Sequence, residues 1–132
     1  MEGSLRVLLD THAFLWWLDG DRRLSRRARA LIEDEGTEVF VSAATAWEIS
    51  IKAASGKLPG ALDVAADVLG CIRAEGFLPL DITVSHAQRA GSLPNVHGDP
   101  FDRVLIAQSN LEGLPILSID DTFDDYDVSR VW

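Results

Sequence analysis

Apolar and polar positions along the chain fall into blocks whose spacing changes from one block to the next. "LRVLL" (residues 5–9) has the composition of a strand buried on both faces, and an apolar stretch of helical length follows it at once. "LSRRARALIEDEG" predicts a helix with Ser25 as N-cap and Gly36 as stop, in which Leu24, Ala28, Leu31 and Ile32 share one face. "EVFV" predicts a second strand, and "SAATAWEISIKAASG" a helix running from a Ser42 cap to Gly56. After a loop at "GKLPG", "ALDVAADVLGCIRAEG" predicts one further helix, with Ala65, Val68, Leu69 and Ile72 spaced for a core face.

"FLPL" is a weak third strand, "TVSHAQRAG" a short helix, and "SLPNVHGDP" an irregular loop ending in a helix start. "FDRVLIAQSNLEG" predicts a helix, "LPILSI" a strand, "DDTFDDYD" an acidic turn and "VSRVW" an edge strand. Strands and helices alternate throughout. The expectation is an α/β fold, one domain over residues 1–132, with a mainly parallel central sheet covered by helices on both faces.

Composition narrows the function classes. With 132 residues and 47% hydrophobic content, the chain can build an ordinary core. No stretch reaches the roughly 20 apolar residues of a membrane span, and the N-terminus lacks the layout of a secretory signal, so a soluble cytoplasmic protein is expected. Cys71 is the only cysteine, which excludes an intrachain disulfide and a multi-cysteine zinc site; a buried small hydrophobe is its expected role. The net charge of −9 argues against bulk electrostatic binding of nucleic acid.

The acids carry the chemistry. Asp10 ends an apolar run and is expensive to bury without a cationic partner. In an open parallel sheet, ligands collect beyond the carboxyl ends of the strands. Asp10 falls at the end of the first strand and Asp120 just past "LPILSI", while Glu48 lies in the helix after the second strand and Asp102 in the first turn of the helix after "HGDP". All four can converge on one rim, and four carboxylates in one place suit a hard divalent cation such as Mg²⁺ or Mn²⁺. Each acid also has a plainer role: Glu48 pairing with Lys52 at i,i+4, Asp120 in a turn, Asp102 favouring a helix N-terminus, Asp10 capping the helix behind it. A shared metal accounts for all four positions at once.

Within "GDPFDR", Pro100 suits the first helical position, which makes Asp99 the N-cap and leaves Asp102 for the site, its ionised form favoured by the helix dipole. His12, His86 and His97 lack close metal-ligand spacing and read as structural or substrate-adjacent. Arg22, Arg26 and Arg29 fall on the helical face opposite Leu24, Ala28 and Leu31; this ridge is either a solvated face or a contact for phosphates, and Arg103 is a second candidate contact. Trp16 and Trp17 point about 100° apart on a helix. One of them is therefore expected at the surface, as a protein interface, unless the domain buries both.

In their order and spacing, "VLLDTHAFLWWL", "VSAATAWEISIK", "HGDPFDRVLIAQ" and "LPILSIDDTF" closely resemble the PIN-domain ribonucleases, and among them the VapC-type toxins of prokaryotic toxin-antitoxin pairs. The resemblance runs nearly end to end. It implies a five-stranded parallel sheet sandwiched by helices and a Mg²⁺- or Mn²⁺-dependent endoribonuclease leaving 5′-phosphate and 3′-hydroxyl ends. It implies a site of Asp10, Glu48, Asp102 and Asp120, with Thr11 and Ser118 as supporting hydroxyls. It further implies a small antitoxin that wraps the helices near the site, and a homodimer. The run Asp120, Asp121, Asp124, Asp125 and Asp127 is more acidic than the family pattern needs.

Two other classes compete. A phospho-acceptor regulatory domain would want paired acids near the first strand and a late lysine, and no lysine follows Lys57. A non-catalytic PIN-like module binding RNA or protein is opposed by the retention of all four acids.

Overall fold

The computed structural model describes residues 5–94 and 98–132. Five strands, β1 (Leu5–Leu9), β2 (Thr37–Ser42), β3 (Leu78–Leu80), β4 (Ile116–Leu117) and β5 (Arg130–Val131), form one sheet in the order β3-β2-β1-β4-β5, every pair parallel. The helices are α1 (Thr11–Asp19), α2 (Arg26–Glu33), α3 (Ala43–Ala54), α4 (Leu62–Ala66), α5 (Val68–Ala74), α6 (Val84–Ser92) and α7 (Pro100–Glu112). Among the described residues no helix is long and apolar enough to cross a membrane.

Strand alternation explains why β1 is apolar at consecutive positions. Val7 and Leu9 face a core that includes Phe14, Ala28, Val39 and Ile72, while Leu8 faces a second core with Leu105, Ile106, Ile116 and Phe123. Helices α1, α2 and α5 cover the first face and α7 the second, with α6 packed against α7. A central strand covered on both sides has no polar face to offer.

Most predicted caps form. Ser25 accepts from the Ala28 N–H and Ser42 from the Ala44 N–H, each satisfying a first-turn donor. Three boundaries differ from expectation. Helix α2 ends at Glu33 rather than Gly36, because the Asp34 carboxylate turns back to accept the Gly36 N–H. The single helix expected after "GKLPG" is broken at Asp67, whose non-helical backbone and side-chain bond to the Gly70 N–H start α5 afresh. A short 3₁₀ turn, Pro59–Ala61, precedes α4 within the segment read as loop and helix start. On α5 the core face is Val68 and Ile72, whereas Leu69 is exposed. Cys71 is half-buried against the first core.

Candidate active site

Strand order reverses between β1 and β4: the chain builds β2 and β3 on one side of β1 and then returns to build β4 and β5 on the other. That switch opens a crevice at the carboxyl ends of β1 and β4. Asp10 follows the last residue of β1, its backbone N–H bonded to the Leu117 carbonyl of β4. Its carboxylate caps α1 by accepting the Ala13 N–H at 2.8 Å. The same residue therefore holds the helix and faces the crevice, as both readings of the sequence had it. It is only 6% exposed. Burial raises its pKa above the ordinary carboxylate value; bonds from Ser118 and Ala13 and the nearness of His12 counter this, while Asp120 adds to it.

Ser118 joins the two strand-end acids. Its hydroxyl is bonded to the Asp10 carboxylate, and its Oγ accepts the Asp120 N–H at 2.9 Å. Asp120 in turn caps the acidic 3₁₀ turn Asp121–Asp125, Oδ1 accepting from the Thr122 N–H at 3.0 Å and from its hydroxyl at 2.8 Å.

Glu48 projects from α3 and is 5% exposed. One oxygen accepts the Thr11 hydroxyl at 2.6 Å and the other the Lys52 ammonium one turn on. Thr45 bonds to Thr11 beside it, at 3.2 Å. The Glu48–Lys52 pair is thus both the i,i+4 pair legible in sequence and part of the site. Lys52 binds its proton more tightly than usual, through Glu48 first and through Asp99 and Asp102 beyond it.

Asp99 is the N-cap of α7, its Oδ1 accepting from the Phe101 N–H at 2.8 Å and the Asp102 N–H at 3.2 Å. Asp102 lies in the first turn, where the helix dipole was expected to keep it ionised. The opposite holds: its pKa is pushed up to about 7 by burial, then by Asp99, Asp10, Glu48 and Asp120. Desolvation and four like charges outweigh a half-charge at a helix end. The same interactions show that Asp102 feels Asp10, Glu48 and Asp120 together, although they come from three other parts of the chain.

Among the described residues, no three carboxylates, imidazoles or thiols are gathered tightly enough to hold a metal ion as they stand. The chemistry of the set still fits one. The donors are carboxylate and hydroxyl oxygens, the neighbouring acids raise the proton affinity of Asp102, and the Lys52 ammonium is the cation that now meets Glu48.

The remaining candidates are placed differently. Arg22 lies in the turn before α2 rather than on the helix, exposed like Arg26. Arg29 donates to the Asp21 carbonyl and lies over the Trp17 ring. Arg103, half-buried, donates to the Ala90, Leu93 and Pro94 carbonyls, tying α7 to the end of α6. Trp16 is buried against Trp132, and Trp17 packs on Phe77 and donates its indole N–H to Glu75. Both rings pack against the same core, Trp16 buried and Trp17 half-buried. The exposed tryptophan is Trp47, which sequence reasoning passed over although it directly precedes Glu48. His86 is buried, accepting the Thr83 N–H and bonded to Glu112; His12 is exposed against Trp16; His97 lies outside the described residues.

An α/β sheet of this order with acids at its switch point defines a class, and the chain belongs to the PIN domain family, which it matches over residues 7–129. No curated protein matches it in sequence. Its fold is similar to that of a chain in VapBC2 from Rickettsia felis, solved bound to a DNA fragment from their promoter (TM-score 0.68, 9% identity, 96% of this chain and 98% of that chain covered). It is also similar to a chain of a toxin-antitoxin complex from Klebsiella pneumoniae (TM-score 0.67, 17% identity, 96% of each chain). FitAcB from Neisseria gonorrhoeae is a third such structure (TM-score 0.61, 19% identity, 96% of each chain). At these identities the likeness is one of fold.

Proposed function

We propose that this chain is a divalent-metal-dependent endoribonuclease of the VapC type, the toxin of a toxin-antitoxin pair. PIN domains are generally nucleases, and the observation that carries the proposal here is the placement of Asp10 and Asp120 beyond the ends of β1 and β4 at the switch point, with Glu48 held beside them by the Thr11 hydroxyl. Mg²⁺ or Mn²⁺ is the expected cofactor, held by those four acids. When bound, it supplies positive charge to the phosphate and acidity to a water.

The chain's own residues do the rest. Thr11 fixes which oxygen of Glu48 is turned inward, and Ser118 spaces Asp10 from Asp120 by bonding to both. Lys52 pairs with one oxygen of Glu48 and balances its charge. Asp99 holds the first turn of α7 and so sets where Asp102 stands. RNA is the proposed substrate, hydrolysed to 5′-phosphate and 3′-hydroxyl ends. A small antitoxin, a homodimer and a cytoplasmic location complete the proposal, supported by the kinship of fold with chains from toxin-antitoxin complexes.

The test is cleavage of total RNA by the purified chain with and without Mg²⁺, read by mapping the ends. Metal-dependent cuts with 5′-phosphates support the assignment. Cleavage undiminished in excess EDTA overturns the metal, and RNA binding without cleavage moves the chain to the non-catalytic class.

A further inference from the structure

Two aromatic residues stand directly before two of the site acids: Trp47 before Glu48 on α3, and Phe101 before Asp102 on α7. The rings meet across the two helices with centroids 5.1 Å apart and planes at 83°. Trp47 is nevertheless 56% exposed, an unusual cost for the largest apolar side chain on a helix whose neighbouring positions Ala44, Thr45, Glu48 and Ile49 are buried.

A perpendicular contact leaves at least one indole face uncovered by Phe101, whichever ring supplies the edge. The contact also fixes the indole's orientation, so a flat ligand meeting that face finds it already placed.

Charge indicates what the ligand is. The chain carries −9 overall, and the cations nearest the acids are engaged: Lys52 by Glu48, Arg103 by three carbonyls, Arg130 by Asp124 and the Ser118 carbonyl. A polynucleotide approaching this rim gains little through its phosphates, so its hold must come from its bases. Stacking on an exposed aromatic is the contact every base can make whatever its sequence.

We infer that Trp47 is a substrate-positioning residue: its indole, braced by Phe101, stacks on an unpaired base of the RNA strand entering the acidic rim. The inference rests on the nuclease reading above. It deepens that reading by specifying single-stranded substrate, because a base within a duplex has no free face to offer. Ile51, one helical turn along and also exposed, extends the same apolar strip.

The experiment uses the full chain with Mg²⁺ and a short single-stranded oligoribonucleotide. Wild type, Trp47→Ala and Trp47→Phe are compared for KM and kcat, for indole fluorescence on rapid mixing with RNA, and for molecular mass in solution. Trp47→Ala should raise KM about tenfold with kcat largely kept, and Trp47→Phe, which still offers a ring, should stay within about threefold of wild type. RNA should quench wild-type fluorescence but not that of Trp47→Phe, in which Trp16, Trp17 and Trp132 remain. An unchanged KM in a normally folded Trp47→Ala overturns the inference. So does a Trp47→Ala that loses mass as a dissociating oligomer while its KM holds, since the ring would then serve a protein contact. If wild type cleaves RNA, either result leaves the nuclease standing; if wild type neither binds nor cleaves RNA, both proposals fall.

Discussion

Thr11 and Glu48, 37 residues apart in sequence, share a 2.6 Å hydrogen bond buried between the start of α1 and the middle of α3. The threonine beside the first acid thereby orients the second, and the two strand-end helices are locked in register by a contact within the site itself. Replacing Thr11 with valine keeps the shape and removes the donor, leaving a buried carboxylate oxygen without its partner. The expected cost is about 1–3 kcal/mol of stability, together with a loss of cleavage. Thr11→Ser should recover most of both. Thermal melting and kcat/KM of the two variants check this; a valine variant as stable and active as wild type would show that the bond orients nothing.

The metal-free protein should grow less stable as pH rises towards neutrality. Asp102 has a pKa of about 7 in the fold against an ordinary 3.8, and Asp10 is raised too, so the folded state holds more protons than the unfolded one over that interval. The contribution of Asp102 is fully present below 3.8 and is lost as pH climbs through about 7, and that of Asp10 has the same sign. Asp21, lowered to about 2 by its bonds to Arg23, works in the opposite sense but only at pH below the ordinary value, outside this window. Melting temperatures in EDTA should therefore fall from pH 4 to about pH 7, and the fall should be shallower in Asp102→Asn. Added Mg²⁺ should restore stability at the high end by binding the folded state. A melting temperature that climbs through this window in EDTA would contradict the clustering of the acids.

The layout of strands and helices was legible because each local signal had a local cause. A hydroxyl at Ser25 or Ser42 caps a helix whatever lies beyond it, and β1 reads as apolar throughout because both faces are covered. The four acids could be grouped because strand ends and helix starts share one edge in a parallel sheet. What could not be read depended on distant partners: the three carbonyls that Arg103 reaches, and the packing of Trp17 against Phe77 and Glu75, nearly 60 residues on. The raised proton affinity of Asp102 likewise comes first from its burial and then from four other carboxylates, of which its own helix contributes only Asp99.

Arg103 gives a prediction that separates a structural arginine from an RNA-binding one. Its guanidinium satisfies the Ala90, Leu93 and Pro94 carbonyls at 3.1, 2.8 and 3.1 Å. Arg103→Lys can reach at most part of that set, since an ammonium lacks the planar fork. The expected loss is about 1–3 kcal/mol of stability, with RNA affinity and its salt dependence unchanged in the folded protein. A shallower salt dependence at normal stability would return Arg103 to the RNA.

Asp99 and Asp102 divide the work of one helical turn, and substitutions can separate them. Asp99 accepts two backbone N–H groups and also raises the pKa of its neighbour by charge. Asp99→Ala should lose the cap, at about 1 kcal/mol, while retaining substantial metal-dependent cleavage. Asp99→Asn keeps a side-chain oxygen for the cap and removes the charge, so it should hold wild-type stability and let Asp102 ionise at lower pH. Asp102→Asn should abolish cleavage without unfolding the protein, and in EDTA it should be slightly stabilising near neutral pH because one of several repelling charges has gone. The acid limb of the cleavage profile provides the sharpest comparison, since it should shift to lower pH in Asp99→Asn if ionised Asp102 is the species that serves the reaction. A normally folded Asp99→Ala that is catalytically dead, beside an active Asp102→Asn, would reverse the assignment and make Asp99 the carboxylate of the site.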